Sequence, residues 1–187
     1  MAQVKPFAPA KLVIGVIYSE ERYGTGAEER LVSLYGAVDL KSSAFPFNTT
    51  DYYERQMGKN LHRLFLSFTT LIPPDSLSEI KARTNSLEEE LREAFSGKAR
   101  LVNLDPGILT RSALIMATAK DFAHRVPLQR GIYGHLEILF TKTAVRLLPW
   151  TYPDFRQQGY QNFLLEARRI YLMQLRGLER WDRRAEG

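Results

Sequence analysis

The order of apolar segments predicts an α+β protein with a ferredoxin-like βαββαβ core and a long C-terminal helix. Residues 11–18 are a short, β-branched apolar run, which is typical of a strand buried on both faces. Residues 27–35 and 77–95 place their apolar side chains at helical spacing. Extended segments lie between and after them, so two helices are expected to cover one face of an antiparallel sheet.

Helix ends and turns are predicted from residues with special backbone preferences. Gly36 is expected to end the first helix, because glycine best tolerates a left-handed C-terminal residue. Residues 38–45 and 61–71 are predicted to be extended. The second helix is expected to begin at a capping box, Ser76-Leu77-Ser78-Glu79, whose side chains would bond free amide groups, and to end at Ser96-Gly97.

The second half of the chain is predicted to pack on the same sheet. A strand over residues 99–104 is expected to end at a turn, Asp105-Pro106-Gly107. Residues 110–119 are apolar nearly all round and predict a buried helix. Strands over 124–128, 134–141 and 144–148 and a final helix over 155–176 follow. No flexible linker divides the chain, so we expect one domain over 1–187, with a core at 11–104, a packed extension at 105–176 and a basic tail at 177–187.

Composition limits the class of protein. The 187 residues are 44% apolar and 25% charged, as in an ordinary globular protein. No apolar run is long enough to span a bilayer or serve as a signal peptide, so no membrane association and a cytoplasmic location are expected. The absence of cysteine excludes disulfides and thiolate ligands. The net charge of +5 is concentrated near the C-terminus, in the arginines at positions 168, 169, 176, 180, 183 and 184.

Several short motifs occur together and in order along the chain. They are Phe45-Pro46-Phe47, Thr50-Asp51-Tyr52-Tyr53, Met57-Gly58, Asn103-Leu104-Asp105-Pro106-Gly107, Ala119-Lys120-Asp121, His124-Arg125, Gly131-Ile132-Tyr133 and Leu148-Pro149-Trp150-Thr151-Tyr152-Pro153-Asp154. As a set they resemble the bacterial and archaeal domain-of-unknown-function family 4416, from Lys11 to about Tyr160. The resemblance implies no particular reaction, cofactor or catalytic residue, and the Arg-rich end after Arg168 departs from the family pattern.

The densest polar cluster is Lys120, Asp121, His124 and Arg125, and we expect these side chains to converge at one edge of the sheet. Lys120 and Arg125 suit a phosphate or carboxylate, and His124 could transfer a proton near neutral pH. A purely structural role for these residues is an equally good interpretation of the same pattern. Lys120 would then lie at a helix C-terminus, stabilised by the helix dipole, and Arg125 would point outward from a strand.

Three other segments carry candidate ligand-binding groups. Asp51 with Tyr52 and Tyr53 would form a polar aromatic wall, or Asp51 would simply cap its own turn. Asp105 would act as an acid or base or belong to an ordinary turn. The segment at Trp150, Tyr152 and Asp154 would stack on a base, or Asp154 would cap the last helix while the two aromatic residues pack against the core.

Two functions from different classes follow. In the first, the protein binds or acts on a small anionic, phosphorylated or nucleotide-like ligand: His124, Asp105 and Asp51 are catalytic, and the ligand is bound by Lys120, Arg125, Tyr52, Tyr53, Tyr133, Trp150, Tyr152 and Asp154. In the second, the sheet and the Arg-rich helix bind RNA or a protein partner. Dimerisation through that helix is a milder option. No metal-ligand spacing is present, and no cofactor is indicated.

Overall fold

The computed structural model describes residues 3–185 of the chain, with side chains described as far as Leu178. The strands among these residues are β1 (Ala10–Tyr18), β2 (Val38–Lys41), β3 (Phe45–Pro46), β4 (His62–Ile72), β5 (Val102–Leu109), β6 (Ala113–Thr118), β7 (Arg125–Pro127), β8 (Tyr133–Phe140) and β9 (Val145–Leu147). The helices are α1 (Glu21–Tyr35), α2 (Glu54–Met57), α3 (Leu77–Ala94) and α4 (Gln158–Ala185). Short 3-10 turns lie at Pro74–Ser76 and Pro153–Arg156.

The strands form one antiparallel sheet in the order β2-β4-β1-β5-β6-β8-β7. β3 pairs with β4 on one side of the sheet, and β9 pairs with β8 on the other. The expected α+β class, the antiparallel sheet and the C-terminal helix are confirmed. The nine strands and four helices of the described residues exceed a simple βαββαβ core.

The central strand β1 is buried on both faces, as its continuous apolar run predicts. Because strand side chains alternate, Leu12 and Ile14 face the cluster formed with α1 and α3, whereas Val13 faces the cluster formed with α4. The apolar positions of α3 that predict a helix, such as Leu87 and Leu91, are buried in the first cluster. No helix among the described residues is both long and apolar enough to cross a membrane.

The helix predicted over residues 110–119 is wrong, because Ala113–Thr118 is the strand β6. The side-chain oxygen of Thr110 accepts a bond from the amide of Ala113, which closes a tight turn between β5 and β6. An apolar run of this length does not separate a buried helix from a buried strand by its periodicity. Lys120 therefore follows a strand, not a helix, and no helix dipole acts on it.

Asp105-Pro106-Gly107 is not a turn but the middle of β5, where these residues pair with β1. Pro106 lies opposite Ile14. β6 pairs with β5 only from Gly107 onward, so Pro106 lies where β5 has a partner strand on one side. Such an edge is where a sheet tolerates a proline, since no hydrogen bond is needed from its nitrogen there.

Two of the predicted helix caps are also wrong. Ser76 lies in the helical region and donates its hydroxyl to the carbonyl of Pro73, so it does not form a capping box. Asp154 lies in a 3-10 turn and its carboxylate bonds Arg63 instead of capping α4. The end of α1 at Gly36 is confirmed, with a left-handed φ of 87°. Within the basic tail, the side chains of Arg180, Arg183 and Arg184 lie outside the described residues.

Gly15 of β1 allows an arginine to cross the sheet surface. Its strand partners are Phe65 and Asp105, and the guanidinium of Arg63 lies directly over it. A Cβ atom at Gly15 would stand 2.6 Å from Nη2 and 2.9 Å from Nε of Arg63. These distances are too short for any real contact, so a larger residue would displace the guanidinium.

We expect Gly15→Ala to destabilise the protein by about 1–3 kcal/mol, the usual cost of overpacking a filled interior. Gly177→Ala is the matched control, because nothing lies within 4 Å of a Cβ at this helical position. It should stabilise the protein by about 0.5–1 kcal/mol through its helix propensity. Urea denaturation measures both, and an equal effect of the two substitutions would contradict the close approach of Arg63 to Gly15.

Candidate functional site

A cleft of about 510 Å³ opens where strands β5 and β6 separate. The two strands are paired only from Gly107 to Leu109, opposite Leu114 to Met116. Residues of β5 before Gly107 and of β6 from Met116 onward line the cleft. The loop at residues 47–53, one side of α3 and the 3-10 turn before α4 complete the lining. Small molecules usually bind in concave clefts of this size.

The cleft carries an excess of positive charge. Its lining includes five cationic side chains and two carboxylates: Arg63, Lys81, Arg100, Lys120, Arg125, Asp105 and Asp154. A cation of the lining can attract a ligand only if no carboxylate of the protein already neutralises it.

Arg63 is the buried centre of the site, with 3% of its surface exposed. Its Nη1 atom lies 2.5 Å from Oδ2 of Asp154, and its Nη2 atom lies 3.1 Å from Oδ2 of Asp105. The rings of Phe65 and Phe155 lie 4.9 Å and 5.0 Å from the guanidinium carbon. Burial disfavours the charge, but Asp154 and Asp105 outweigh this and raise the pKa of Arg63 above its ordinary value.

Two further cations are also satisfied by the protein. Lys81 donates a bond of 2.7 Å to the carbonyl of Leu104 and lies 3.9 Å from Asp105. Arg100 pairs at 2.5 Å with Glu88, which in turn accepts a bond from the amide of Leu104. Burial raises the pKa of Glu88 although Arg100 and Lys81 oppose this shift. Through these contacts, Lys81 and Glu88 of α3 bond the carbonyl and the amide of Leu104 on β5.

Lys120 and Arg125 differ from the other three cations, because neither has a carboxylate partner among the described residues. The Nζ atom of Lys120 lies 3.5 Å from the ring centroid of Tyr52. Arg125 donates to the carbonyl of Lys120 at 2.7 Å, to the hydroxyl of Tyr152 at 3.0 Å and to Nδ1 of His135 at 3.2 Å. Their positive charge is therefore available to a ligand at this side of the cleft.

Arg125 contacts a buried pair of side chains, His135 and Glu137. Because Arg125 donates to Nδ1 of His135, the ring carries its proton on Nε2, which lies 2.9 Å from Oε2 of Glu137. The angle of this contact falls short of a hydrogen bond, and neither of the two atoms has a hydrogen-bond partner among the described residues. The ring of Tyr152 stacks on His135 at 4.7 Å, and its amide donates to Glu137. Burial raises the pKa of Glu137 and raises that of Tyr152 to about 12.

The cleft brings together most of the residues singled out in the sequence. Those that line it are Tyr52, Tyr53, Asp105, Lys120, Arg125, Tyr152 and Asp154. They come from four separate segments of the chain. Of the four side chains expected to converge at one sheet edge, Lys120 and Arg125 line the cleft, whereas Asp121 and His124 do not. The role of Lys120 and Arg125 in binding stays a prediction.

Four predicted site residues lie outside the lining. Asp51 is exposed, and its backbone carbonyl closes a turn with Glu54. Tyr133 begins β8 and is half-buried. The indole of Trp150 donates to a carbonyl of β8 and stacks on the ring of His124. Neither His124, the predicted proton-transfer residue, nor Asp51 lines the cleft.

His124 instead faces the buried histidine. Its Nε2 atom lies 3.1 Å from Nδ1 of His135, so its ring is held between that contact and the stack with Trp150.

Other residues of the site are missing from the sequence prediction: Arg63, Lys81, Arg100, Asn103, His135 and Glu137. Two signals were present. Arg63 and Phe65 are two residues apart on β4, so their side chains point to the same face of the strand. Phe65 belongs to the core, so a charged residue on that face is unusual. His135 and Glu137 also share one face of an apolar strand. Lys81 and Arg100 give no such signal, because helices and loops carry many charged residues at their surface.

No group of three or more potential metal ligands comes together within the part of the chain that the structure describes. Residues 8–171 match the family model described as Domain of unknown function (DUF4416), and the chain belongs to this family. The matched residues contain every strand of the sheet and the whole lining of the cleft. No curated protein and no solved structure matches the chain.

Replacing Arg63 by methionine should cost about 3–5 kcal/mol in the free energy of unfolding, because Asp154 and Asp105 lose their buried partner. Arg83→Met is the matched control, since Arg83 pairs with Glu90 at the surface and such pairs contribute at most about 1 kcal/mol. Chemical denaturation measures both variants. An equal loss of unfolding free energy in the two variants would show that burial of the Arg63 ion pairs does not increase their contribution to stability.

Stability is also expected to depend on the protonation of His124. Burial lowers the pKa of His124, and His135 and Arg125 lower it further. The folded protein therefore binds this proton less tightly than the unfolded chain, so the free energy of unfolding falls as the pH drops through about 6.5. Urea titrations at pH 7.5 and 5.5 should show a smaller fall for His124→Gln than for the wild type. The same fall in both proteins would refute the lowered pKa.

Proposed function

We propose that the cleft binds a small anionic ligand whose charge is held by Lys120 and Arg125. The observation that carries this proposal is the contrast among the cations. Arg63 and Arg100 are paired with carboxylates, and Lys81 is engaged by a carbonyl and lies near Asp105. Lys120 and Arg125 have no carboxylate partner among the described residues, although both line the cleft.

The arrangement suits a phosphate group better than a diffuse negative surface. Arg125 has its guanidinium oriented by three hydrogen bonds, so little side-chain entropy remains to be lost on binding. Lys120 adds a point charge beside it. Arginine and lysine together are a common means of holding phosphate oxygens. A volume of about 510 Å³ also lies within the usual range for sites that enclose small molecules.

The topology of the first half supports a second, structural proposal. The strands β2-β4-β1-β5 are neighbours in that order, with α1 between β1 and β2 and α3 between β4 and β5. This arrangement supports a ferredoxin-like unit that is extended by β6 to β9 and by α4. In this interpretation the cleft lies at the junction between that unit and the extension.

Binding of RNA or a protein through the sheet and the Arg-rich helix has less support. α1 and α3 cover one face of the central strands, and α4 covers the other. Arg168 donates to two backbone carbonyls, and Arg169 pairs with Glu166. These two arginines are therefore engaged within the fold, which leaves less of the helix for a partner.

We expect Lys120→Ala to weaken the binding of a phosphorylated ligand by about 10- to 100-fold, because one charge-assisted hydrogen bond is lost. Lys142→Ala is the control, since it removes the same charge from an exposed turn outside the cleft. A thermal-shift screen of phosphorylated metabolites identifies a ligand, and calorimetry then compares the three proteins. Failure of every anion to raise the melting temperature, or equal losses in both variants, would reject the proposal.

A further inference from the structure

We infer that the ligand is a phosphate ester that carries hydroxyl groups, and that these hydroxyl groups bind Asp105, Asn103 and Tyr53. The inference rests on the proposed anion binding by Lys120 and Arg125 and identifies the rest of the ligand. Asp105, Asn103 and Tyr53 all line the cleft, and each has hydrogen-bonding capacity that the protein leaves unused.

Asp105 offers an acceptor. Its Oδ2 atom is held by Arg63 at 3.1 Å, which keeps the carboxylate in one orientation. Its Oδ1 atom lies 3.9 Å from Lys81, which is beyond hydrogen-bonding distance. With 21% of its side chain exposed, Asp105 therefore presents one charged oxygen that can accept a bond from a ligand.

Asn103 offers a donor. It lies two residues before Asp105, so both side chains are on the same face of β5. Its Oδ1 atom accepts a bond of 2.6 Å from Arg100, which orients the amide, but its Nδ2 atom has no partner. Only 3% of the surface of Asn103 is exposed. A buried amide donor without a partner destabilises a protein, and a ligand acceptor would relieve this cost.

Tyr53 offers a group that can both donate and accept. Its hydroxyl makes no hydrogen bond among the described residues. Burial raises the pKa of Tyr53, and the nearby negative charge of Asp105 raises it further, so the phenol stays protonated at neutral pH. Tyr53 also packs against Phe47 and Tyr52, which fixes its ring at the wall of the cleft.

A hydroxyl group matches this set of unused atoms. It can donate to Asp105 and accept from Asn103, whereas an ammonium group can only donate. The cations of the lining would repel an ammonium group of the ligand, and the negative charge of Asp105 would repel a carboxylate of the ligand at this position. Sugar phosphates and nucleotides share the required chemistry, which is a phosphate joined to several hydroxyl groups.

The test compares two phosphate esters of similar charge by calorimetry on the full-length protein. Ribose 5-phosphate carries hydroxyl groups and butyl phosphate carries none beyond its phosphate. We expect wild type to bind ribose 5-phosphate at least about 10-fold more tightly. Tyr53→Phe and, independently, Asp105→Asn should reduce this ratio, whereas Lys120→Ala should weaken both ligands by a similar factor.

The possible outcomes separate this inference from the proposed function. Equal affinity of wild type for the two esters would overturn the role of the hydroxyl groups but leave anion binding intact. Binding of neither ester would overturn both. A ratio that is unchanged in Tyr53→Phe and in Asp105→Asn would also overturn the inference. A third ligand, adenosine monophosphate, distinguishes nucleotides from sugar phosphates. If the protein binds it more tightly than ribose 5-phosphate, the natural ligand is a nucleotide; if it binds it more weakly, the natural ligand is a sugar phosphate.

Discussion

The buried guanidinium of Arg63 bonds the carboxylates of Asp154 and Asp105 and thereby links distant parts of the chain. Transfer of a charged group from water to a protein interior costs several kcal/mol unless it is paired and hydrogen-bonded. Arg63 comes from β4, Asp105 from β5 and Asp154 from the turn before α4, so the pairing joins two strands to the final helix. Gly15 provides the space that this contact requires.

The same interaction determines the electrostatics of the cleft. Arg63 bonds one oxygen of Asp105 and holds the carboxylate in place, while the other oxygen lies 3.9 Å from Nζ of Lys81, beyond hydrogen-bonding distance. On the opposite side, the buried pair of His135 and Glu137 orients Arg125 through Nδ1 of the imidazole. Each buried cluster thus orients a charged side chain of the lining. Asp105 is paired with Arg63 through one oxygen only, and Arg125 has no carboxylate partner among the described residues.

Part of the candidate site was accessible from the sequence. Lys120 and Arg125 are close in the chain and stand out as a polar cluster after an apolar segment. Asp105 was identified, but its interpretation as a turn residue was wrong, because Asp-Pro-Gly has the same composition in a turn and at the open edge of a strand. His124 was expected in the site, whereas stacking on Trp150 and contact with His135 direct it elsewhere. Such choices depend on partners far away in the chain.

The α+β class, the buried strand β1 and the end of α1 at Gly36 can be predicted from the amino-acid sequence, because they follow from the spacing of apolar residues and the backbone freedom of glycine. The family can be predicted from the ordered set of short motifs. The tertiary structure was needed to show that residues 113–118 form a strand and that β5 and β6 separate to open a cleft. It also decided which charges neutralise one another. Strand pairing and ion pairing join residues separated by tens of positions, and their energies depend on burial and distance, which no local pattern encodes.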